Sequence, residues 1–182
     1  FNIADPFSSQ VISSNRSIAD DQWHHVVMVR DVANSALQVY VDGLLTNSAS
    51  LSVLGDINPN EDLYLGAYQG SFPSRITLDE MRIWKRALSG SEIRSQMMCE
   101  LSGGESNLSA YYSFNQGIAT GNNFADSIVR DFSSNSNHGT MDDFALIGDS
   151  SNWVYGKDSI DILVEICRRM KCVRDLEFVL CR

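Results

Sequence analysis

The chain has 182 residues, of which 43% are hydrophobic, and it carries a formal net charge of −9 at pH 7. This length suits one domain with a sizeable core, and the hydrophobic content excludes a compositionally disordered chain. The negative charge argues against nucleic acids and anionic membranes as partners, and no apolar run reaches the roughly 18 residues of a membrane span.

The side-chain pattern predicts a protein built mainly from short β-strands. From Trp23 to Arg30 and from Leu37 to Asp42, β-branched and aromatic residues recur at alternate positions, which is the period of a strand. Asp42-Gly43 supplies the positive φ angles of a tight hairpin turn. The predicted strands cover residues 9–13, 22–30, 36–42, 44–48, 62–67, 76–85, 108–115, 128–132, 143–147 and 152–155.

Two segments have the features of helices. Ser89 is followed three residues later by Glu92, a capping-box pattern that predicts a short helix over residues 89–97. In the C-terminal tail, apolar residues recur at helical spacing, which predicts a second helix over residues 159–173. The strand predicted over residues 76–85 has apolar residues on both faces, so it is either covered on both sides or interrupted by a bulge.

Six segments in a fixed order carry a resemblance to a known family. They are Trp23-His24-His25-Val26, Val39-Tyr40-Val41-Asp42-Gly43, Leu65-Gly66, Leu78-Asp79-Glu80-Met81-Arg82-Ile83-Trp84, Leu108 to Asn115, and Asp131 to Thr140. This order resembles the laminin-G-like, concanavalin A-like jelly-roll family, including the pentraxin-like modules of secreted bacterial proteins. The resemblance implies an all-β jelly-roll sandwich of two antiparallel sheets over residues 1–155. Residues 156–182 form a tail that does not resemble the family.

The order of the two halves departs from tandem members of this family. There the Tyr-x-Phe-Asn strand and the Asn/Gly-rich loop can open a domain, and the Trp-His-His and Asp-Glu-x-Arg-Ile-Trp segments close one. Here the closing half comes first. The chain is therefore expected to be either a cut from a longer repeat array or a sandwich whose late strand completes its own fold. The missing initial Met favours a fragment.

The sequence lacks the side-chain patterns of common hydrolases. His24 and His25 are adjacent in a strand, so their side chains point to opposite faces and cannot both serve one site. Asp79 and Glu80 are adjacent for the same reason, whereas a retaining glycosidase needs two carboxyl groups on one face. Gly-x-Ser-x-Gly, the motif around the nucleophile in many serine hydrolases, is also absent. The expectation is therefore a protein that is not an enzyme.

An oxygen-rich loop predicts a calcium site. Asp131, Asn135 and Asn137 offer side-chain oxygens of the kind that calcium binds in irregular loops. The family resemblance places this loop near the strand that carries Asp79, which is added to the predicted set. The alternative is an ordinary solvated turn, since Asn, Ser and Gly populate turns for backbone reasons.

Three aromatic residues are candidates for sugar contact, because the apolar face of a sugar stacks on exposed rings. Tyr68 and Phe72 lie in a predicted loop, where binding residues concentrate, and Tyr111 lies in a predicted strand. The alternative for each is ordinary packing. The expected function is a non-catalytic carbohydrate-binding or adhesion module that recognises glycans or glycoprotein surfaces.

The expected location is the cell surface or the extracellular space, with no membrane insertion. The alternatives in function are a glucanase-like glycoside hydrolase and a purely structural extracellular repeat. The four cysteines leave both a disulfide and free thiols open; they are Cys99, Cys167, Cys172 and Cys181. Oligomeric state and the identity of the ligand are not determined by the sequence.

Overall fold

The computed structural model describes residues 2–4, 9–52, 63–65, 76–141, 144–149, 152–155 and 178–181. Within these ranges the regular structure consists of antiparallel strands and one short helix, in agreement with a concanavalin A-like β-sandwich. The elements are β1 (Asn2–Ala4), β2 (Ser9–Val11), β3 (Trp23–Asp31), β4 (Ala36–Val41), β5 (Leu44–Ser50), β6 (Thr77–Asp79), β7 (Met81–Trp84), α1 (Gly90–Gln96), β8 (Leu108–Tyr112), β9 (Ile128–Val129), β10 (Gly139–Thr140) and β11 (Phe178–Cys181).

The largest sheet has five strands in the order β5-β4-β3-β11-β6. The predicted hairpin between β4 and β5 is confirmed, with φ of 51° at Asp42 and 73° at Gly43. Glycine is needed at this corner, because a Cβ at position 43 would come within 2.8 Å of the Arg94 Cγ atom. The turn therefore positions the Asp42 carboxylate beside the start of β3.

Strand β4 divides the core into two apolar clusters. On one face, Leu37 and Val39 pack with Ile12 and Leu51. On the other face lies a cluster that includes residues of β3 and the region of α1; its members are Val27, Val29, Tyr40, Leu88 and Ile93. Because both faces of β3 and β4 are covered, both His24 and His25 are buried, although they point in opposite directions.

Helix α1 begins where its capping box predicts. Ser89 is the N-cap: its side chain accepts a hydrogen bond from the Glu92 N–H, and the Glu92 side chain accepts one from the Ser89 N–H. Ile93 is fully buried and packs the helix against the sheet. The local sequence signal and the tertiary contact thus agree, which is why this helix could be predicted within one residue at each end.

The strand predicted over residues 76–85 is two strands in different sheets. The strand is interrupted at Glu80, whose φ is 52°. This left-handed backbone conformation does not fit a regular β-ladder. Before the break, β6 pairs with β11 in the large sheet, and after it β7 pairs with β8. After the change of sheet, both faces of β7 are covered, since the adjacent residues Met81 and Arg82 are both buried.

Other predicted elements differ from the structure. The strands expected over 143–147 and 152–155 do not form in the parts of those segments that the structure describes. There the carbonyls of Leu146 and Trp153 accept hydrogen bonds from the N–H groups of Asn123 and Thr120, which lie in a loop. The helix expected over 159–173 lies outside the described residues, as does most of the strand expected over 62–67. The short strand β11 was not predicted, and it places four residues of the tail inside the large sheet.

Candidate functional site

A cavity of about 510 Å³ lies beside strand β9. Two apolar side chains stand half exposed at this place, Phe132 with 48% and Ile128 with 49% of their surface accessible. The residues that line the cavity are Gln116, Ala125, Asp126, Ser127, Ile128, Arg130, Asp131, Phe132 and His138. The lining thus places an accessible aromatic ring beside several polar groups, which can fix the orientation of a small ligand.

The wall of the cavity is held in place by a glutamine side chain. The Gln116 Nε2 atom donates a hydrogen bond to the Ile128 carbonyl at 2.6 Å, and its Oε1 atom accepts one from the Arg130 N–H at 2.8 Å. These are the bonds that a neighbouring strand would make. Gln116 therefore fixes the backbone on either side of Val129, and its amide is already used by the protein.

Asp131 anchors the same wall from the inside. Its side chain is buried, and its carboxylate accepts four hydrogen bonds: from the N–H groups of Tyr111, Ser133 and Asn137 and from the Ser133 hydroxyl, at 2.7–2.8 Å. Burial alone would raise the pKa of Asp131, but the donated hydrogen bonds outweigh it and lower the pKa. Since Asp131 points inward, its neighbours Arg130 and Phe132 stand at the surface.

The loop after Asp131 is tied to β8 by asparagine amides. In the assigned orientation, the Asn135 Nδ2 atom donates to the carbonyls of Leu108 and Ser109, and the Asn137 Nδ2 atom donates to the Ser109 carbonyl at 3.1 Å. Three members of the predicted calcium set thus lie in one loop, where their polar atoms contact protein groups.

Asp79, the fourth member of that set, lies at the end of β6. Its Oδ1 atom accepts the Glu80 N–H at 2.9 Å, and burial raises the pKa of Asp79 to about 6. Among the described residues, no three His, Cys, Asp or Glu side chains come together as a metal site. Calcium binding stays a prediction.

The sugar-contact candidates have different outcomes. Tyr68 and Phe72 lie outside the described residues. The expectation that Tyr111 presents an exposed ring is wrong, because Tyr111 is only 3% exposed and its hydroxyl donates to the Glu80 carboxylate at 2.8–2.9 Å. The accessible ring at this place is Phe132, whose centroid lies 6.3 Å from that of Tyr111.

Glu80, Arg82 and Tyr111 form a buried network. The Arg82 guanidinium donates to the Glu80 carboxylate at 2.8 Å and to the carbonyls of Gln96 and Cys99. Burial raises the pKa of Glu80 to about 7, against the opposing effect of the Arg82 charge. A carboxyl group with such a pKa could serve as a general acid, but Glu80 is only 6% exposed and cannot reach a substrate. The network instead joins β7, β8 and the end of α1.

A second ionic cluster surrounds His24. The Nε2 atom of this buried ring lies 2.9 Å from Asp20 Oδ1, and its Nδ1 atom lies 3.0 Å from Asp42 Oδ2. Arg16 pairs with the same Asp42 oxygen at 2.8 Å. Both ring nitrogens must donate to satisfy two carboxylates, which requires the charged imidazolium. The cluster thus links Arg16 and Asp20, which precede β3, to Asp42 in the β4–β5 turn.

Of the residues that line the cavity, sequence reasoning named only Asp131, and it named this residue as a calcium ligand. Phe132 and Arg130 flank Asp131 beyond the end of β9, and both are exposed whereas Asp131 is buried. The sequence carries no signal for this arrangement, because the burial of Asp131 as an internal hydrogen-bond acceptor follows from the fold. His138 is separated from them by the whole loop, and only the fold brings it to the cavity.

The comparisons with known proteins agree with the fold. Residues 1–94, just over half of the chain, match the family model described as the concanavalin A-like lectin/glucanases superfamily. A search of curated proteins finds no match. Among solved structures, the chain is similar to a Bacteroides ovatus ATCC 8483 protein that was proposed to bind carbohydrate. The sequence identity is 19% and the TM-score is 0.57, over 74% of this chain and 38% of that one. The family model and the antiparallel fold together show that this chain belongs to the concanavalin A-like lectin/glucanase superfamily.

Proposed function

We propose that the chain is a non-catalytic glycan-binding module and that the cavity beside β9 is its binding site. The observation that carries this proposal is the half-exposed ring of Phe132 next to the side chains of Asp126, Arg130 and His138. A pyranose can stack its C–H face on the ring while its hydroxyls bond to these polar groups. The carbohydrate-binding role proposed for the similar Bacteroides ovatus protein supports the same ligand class.

The arrangement of carboxyl groups supports binding without catalysis. Glycoside hydrolysis needs two accessible carboxyl groups on opposite sides of the scissile bond. Glu80 is buried and paired with Arg82, and the Asp131 carboxylate accepts four protein hydrogen bonds. Neither group is available for a proton transfer to a sugar.

We further propose that the chain acts outside the cell, as part of a secreted or surface protein that adheres to glycans. Cys99 is disulfide-bonded, and its partner lies beyond the side chains that the structure describes. Structural disulfides form and persist in oxidising compartments, which supports an extracellular location. Among the described helices none is long and apolar enough to cross a membrane.

Glycan binding is tested with a glycan array followed by calorimetry on the best ligand. Phe132→Ala is expected to weaken binding about tenfold or more, since about 1.4 kcal/mol of lost stacking corresponds to a factor of ten. Phe124→Ala is the matched control, because Phe124 is 65% exposed and does not line the cavity. The proposal is contradicted if no glycan on the array binds the protein, or if Phe132→Ala and Phe124→Ala lose affinity to the same extent.

The competing glucanase function makes a different prediction. We expect no product release from β-glucans, agar, alginate or chitin, because the Glu80 and Asp131 carboxyl groups are buried and bonded within the protein. Reducing-sugar release is the measurement, with Glu80→Gln and Asp79→Asn as the variants. Reproducible hydrolysis that either substitution abolishes would replace the binding module by an enzyme.

A further inference from the structure

Arg130 is an exposed cation whose charge is not used by the described part of the protein. Its backbone N–H donates to Gln116, but its guanidinium forms no hydrogen bond or ion pair with any described residue. Other arginines of the fold are engaged through their guanidinium groups. Arg16 pairs with Asp42, Arg82 with Glu80 and Arg86 with Glu92. In a chain with a net charge of −9, this exposed guanidinium at the cavity is available to bind an external anion.

The second donor at the cavity is His138. The Asp131 N–H donates to His138 Nδ1 at 3.1 Å, so this nitrogen is the acceptor and the neutral ring carries its proton on Nε2. That N–H has no protein acceptor within the described ranges. His138 thus adds a neutral hydrogen-bond donor to the charged donor of Arg130, on the same cavity wall as Phe132.

Two carboxylates line the cavity, those of Asp126 and Asp131, and their repulsion of a bound anion is limited. Asp131 is buried, and four hydrogen-bond donors surround its charge. Asp126 is half-buried, and its backbone N–H donates to the Asn123 carbonyl at 2.8 Å, which fixes its turn. Asp126 forms no ion pair with Arg130 in the structure, so it remains available as an acceptor for a sugar hydroxyl.

We infer that the cavity selects an acidic sugar, a uronic acid residue whose carboxylate binds Arg130. The planar guanidinium fork matches a carboxylate with two parallel hydrogen bonds, which an ammonium group cannot reproduce. The sugar ring lies against Phe132, and its hydroxyls meet His138 Nε2–H and the Asp126 carboxylate. This inference rests on the proposed glycan-binding function and adds the charge of the ligand to it.

The test compares oligosaccharides of galacturonate, glucuronate and mannuronate with the same oligosaccharides after reduction of their carboxyl groups. Calorimetry with the whole chain is expected to show at least tenfold tighter binding of one acidic oligosaccharide than of its neutral counterpart. Binding of the acidic form should weaken as salt rises from 50 to about 500 mM, because ions screen the exposed charge.

Substitutions at Arg130 separate charge from shape. Arg130→Gln is expected to weaken binding of the acidic oligosaccharide at least tenfold and to weaken binding of the neutral one much less, because the neutral sugar loses only a hydroxyl contact. Arg130→Lys is expected to recover only part of the affinity for the acidic form. Lys85→Gln removes an exposed positive charge outside the cavity and is the matched control, with no expected effect.

The outcomes distinguish this inference from the function on which it rests. Equal affinity for acidic and neutral oligosaccharides, with no effect of Arg130→Gln, overturns the inference and leaves glycan binding in place. Equal losses for Arg130→Gln and Lys85→Gln indicate general charge attraction and also overturn it. Binding of no oligosaccharide of either kind removes the glycan-binding function as well.

Discussion

At the scale of single residues, the buried charges of this protein serve its architecture rather than chemistry. Arg82 is 1% exposed and contacts Glu80, the Tyr111 ring and two carbonyls near the end of α1. Glu80 has the positive φ angle that redirects the chain from one sheet to another. A strained backbone position is thus stabilised by the ion pair that its own side chain makes.

Removing Arg82 should therefore destabilise the protein strongly. Arg82→Met leaves the Glu80 carboxylate buried without its cation, and we expect a loss of about 3–5 kcal/mol in the free energy of unfolding. Urea denaturation measures this loss. The control is Arg86→Met, which breaks a half-exposed pair with Glu92 and should cost at most about 1 kcal/mol. Equal costs for the two variants would show that the buried network is not stabilising.

The Glu80 network also has a pH dependence of defined sign. Burial raises the pKa of Glu80 to about 7 in the folded protein, above the ordinary value of 4.5. Its contribution to stability is therefore fully present below pH 4.5 and is lost as pH rises through about 7. Arg82→Met removes an opposing charge and should steepen this loss between pH 5 and 8. If the stability of Arg82→Met followed the wild-type pH profile in this range, the proposed effect of Arg82 on the Glu80 carboxyl group would be contradicted.

His24 adds a second pH-dependent contact. Burial would lower the pKa of His24, but its hydrogen bonds to Asp20 and Asp42 outweigh burial and raise the pKa above 6.5. The stabilising contribution is thus fully present below pH 6.5 and is lost as pH rises through the folded pKa. We expect the wild-type advantage over His24→Gln, about 1 kcal/mol or more below pH 6, to shrink as pH rises. Thermal melts of both proteins from pH 5 to 9 measure it; a constant difference would show that the imidazolium plays no part.

At the scale of elements, the predictable parts are those in which local sequence and tertiary contacts agree. The hairpin at Asp42-Gly43 and helix α1 have local signals, a turn dipeptide and a capping box, and both are confirmed. An interruption of this strand was one of two predicted alternatives. Its place could not be predicted, because the positive φ of Glu80 accompanies contacts with Arg82 and with Tyr111, which lies far away in the sequence. The cavity likewise depends on contacts between residues far apart in sequence, such as Gln116 and Arg130.

The loop that begins at Asp131 carries the prediction of calcium binding. A cation that binds only the folded state at about a hundred times its dissociation constant adds about 2.7 kcal/mol of stability. For a chain of this size the melting temperature should then rise on the order of 5–10 °C, and chelator should reverse the rise. The measurement is a thermal melt in calcium, magnesium and chelator. Identical melting temperatures in all three would leave this segment as an ordinary turn.

The choice of variant decides whether that experiment is informative. Asp131→Ala removes a carboxylate that accepts four protein hydrogen bonds, so it should destabilise the protein with or without calcium. Asp79→Asn is the cleaner test, because the Asp79 side chain accepts one hydrogen bond, from the N–H of the next residue. A calcium effect that persists in Asp79→Asn excludes Asp79 from the set of ligands.

At the scale of the whole molecule, the tail and the sandwich are less separate than the sequence predicts. Because the family resemblance ends near residue 155, the sequence predicts that residues 1–155 fold without the remainder. In the structure, however, Val179 lies opposite His25 on one side and Asp79 on the other, so β11 joins β3 to β6. Without β11, the facing edges of two strands would lose their hydrogen-bonded neighbour.

We therefore expect the tail to contribute to the stability of the sandwich. Val179→Pro removes a backbone donor from a strand that is paired on both sides, and it should lower the melting temperature by several degrees. Val154→Pro is the matched control, because residue 154 lies outside the strands and should tolerate the change better. Circular dichroism during a thermal melt measures both variants beside the chain truncated after residue 155. If the truncated chain melts cooperatively at the wild-type temperature, β11 is an appendage and residues 1–155 are a complete domain.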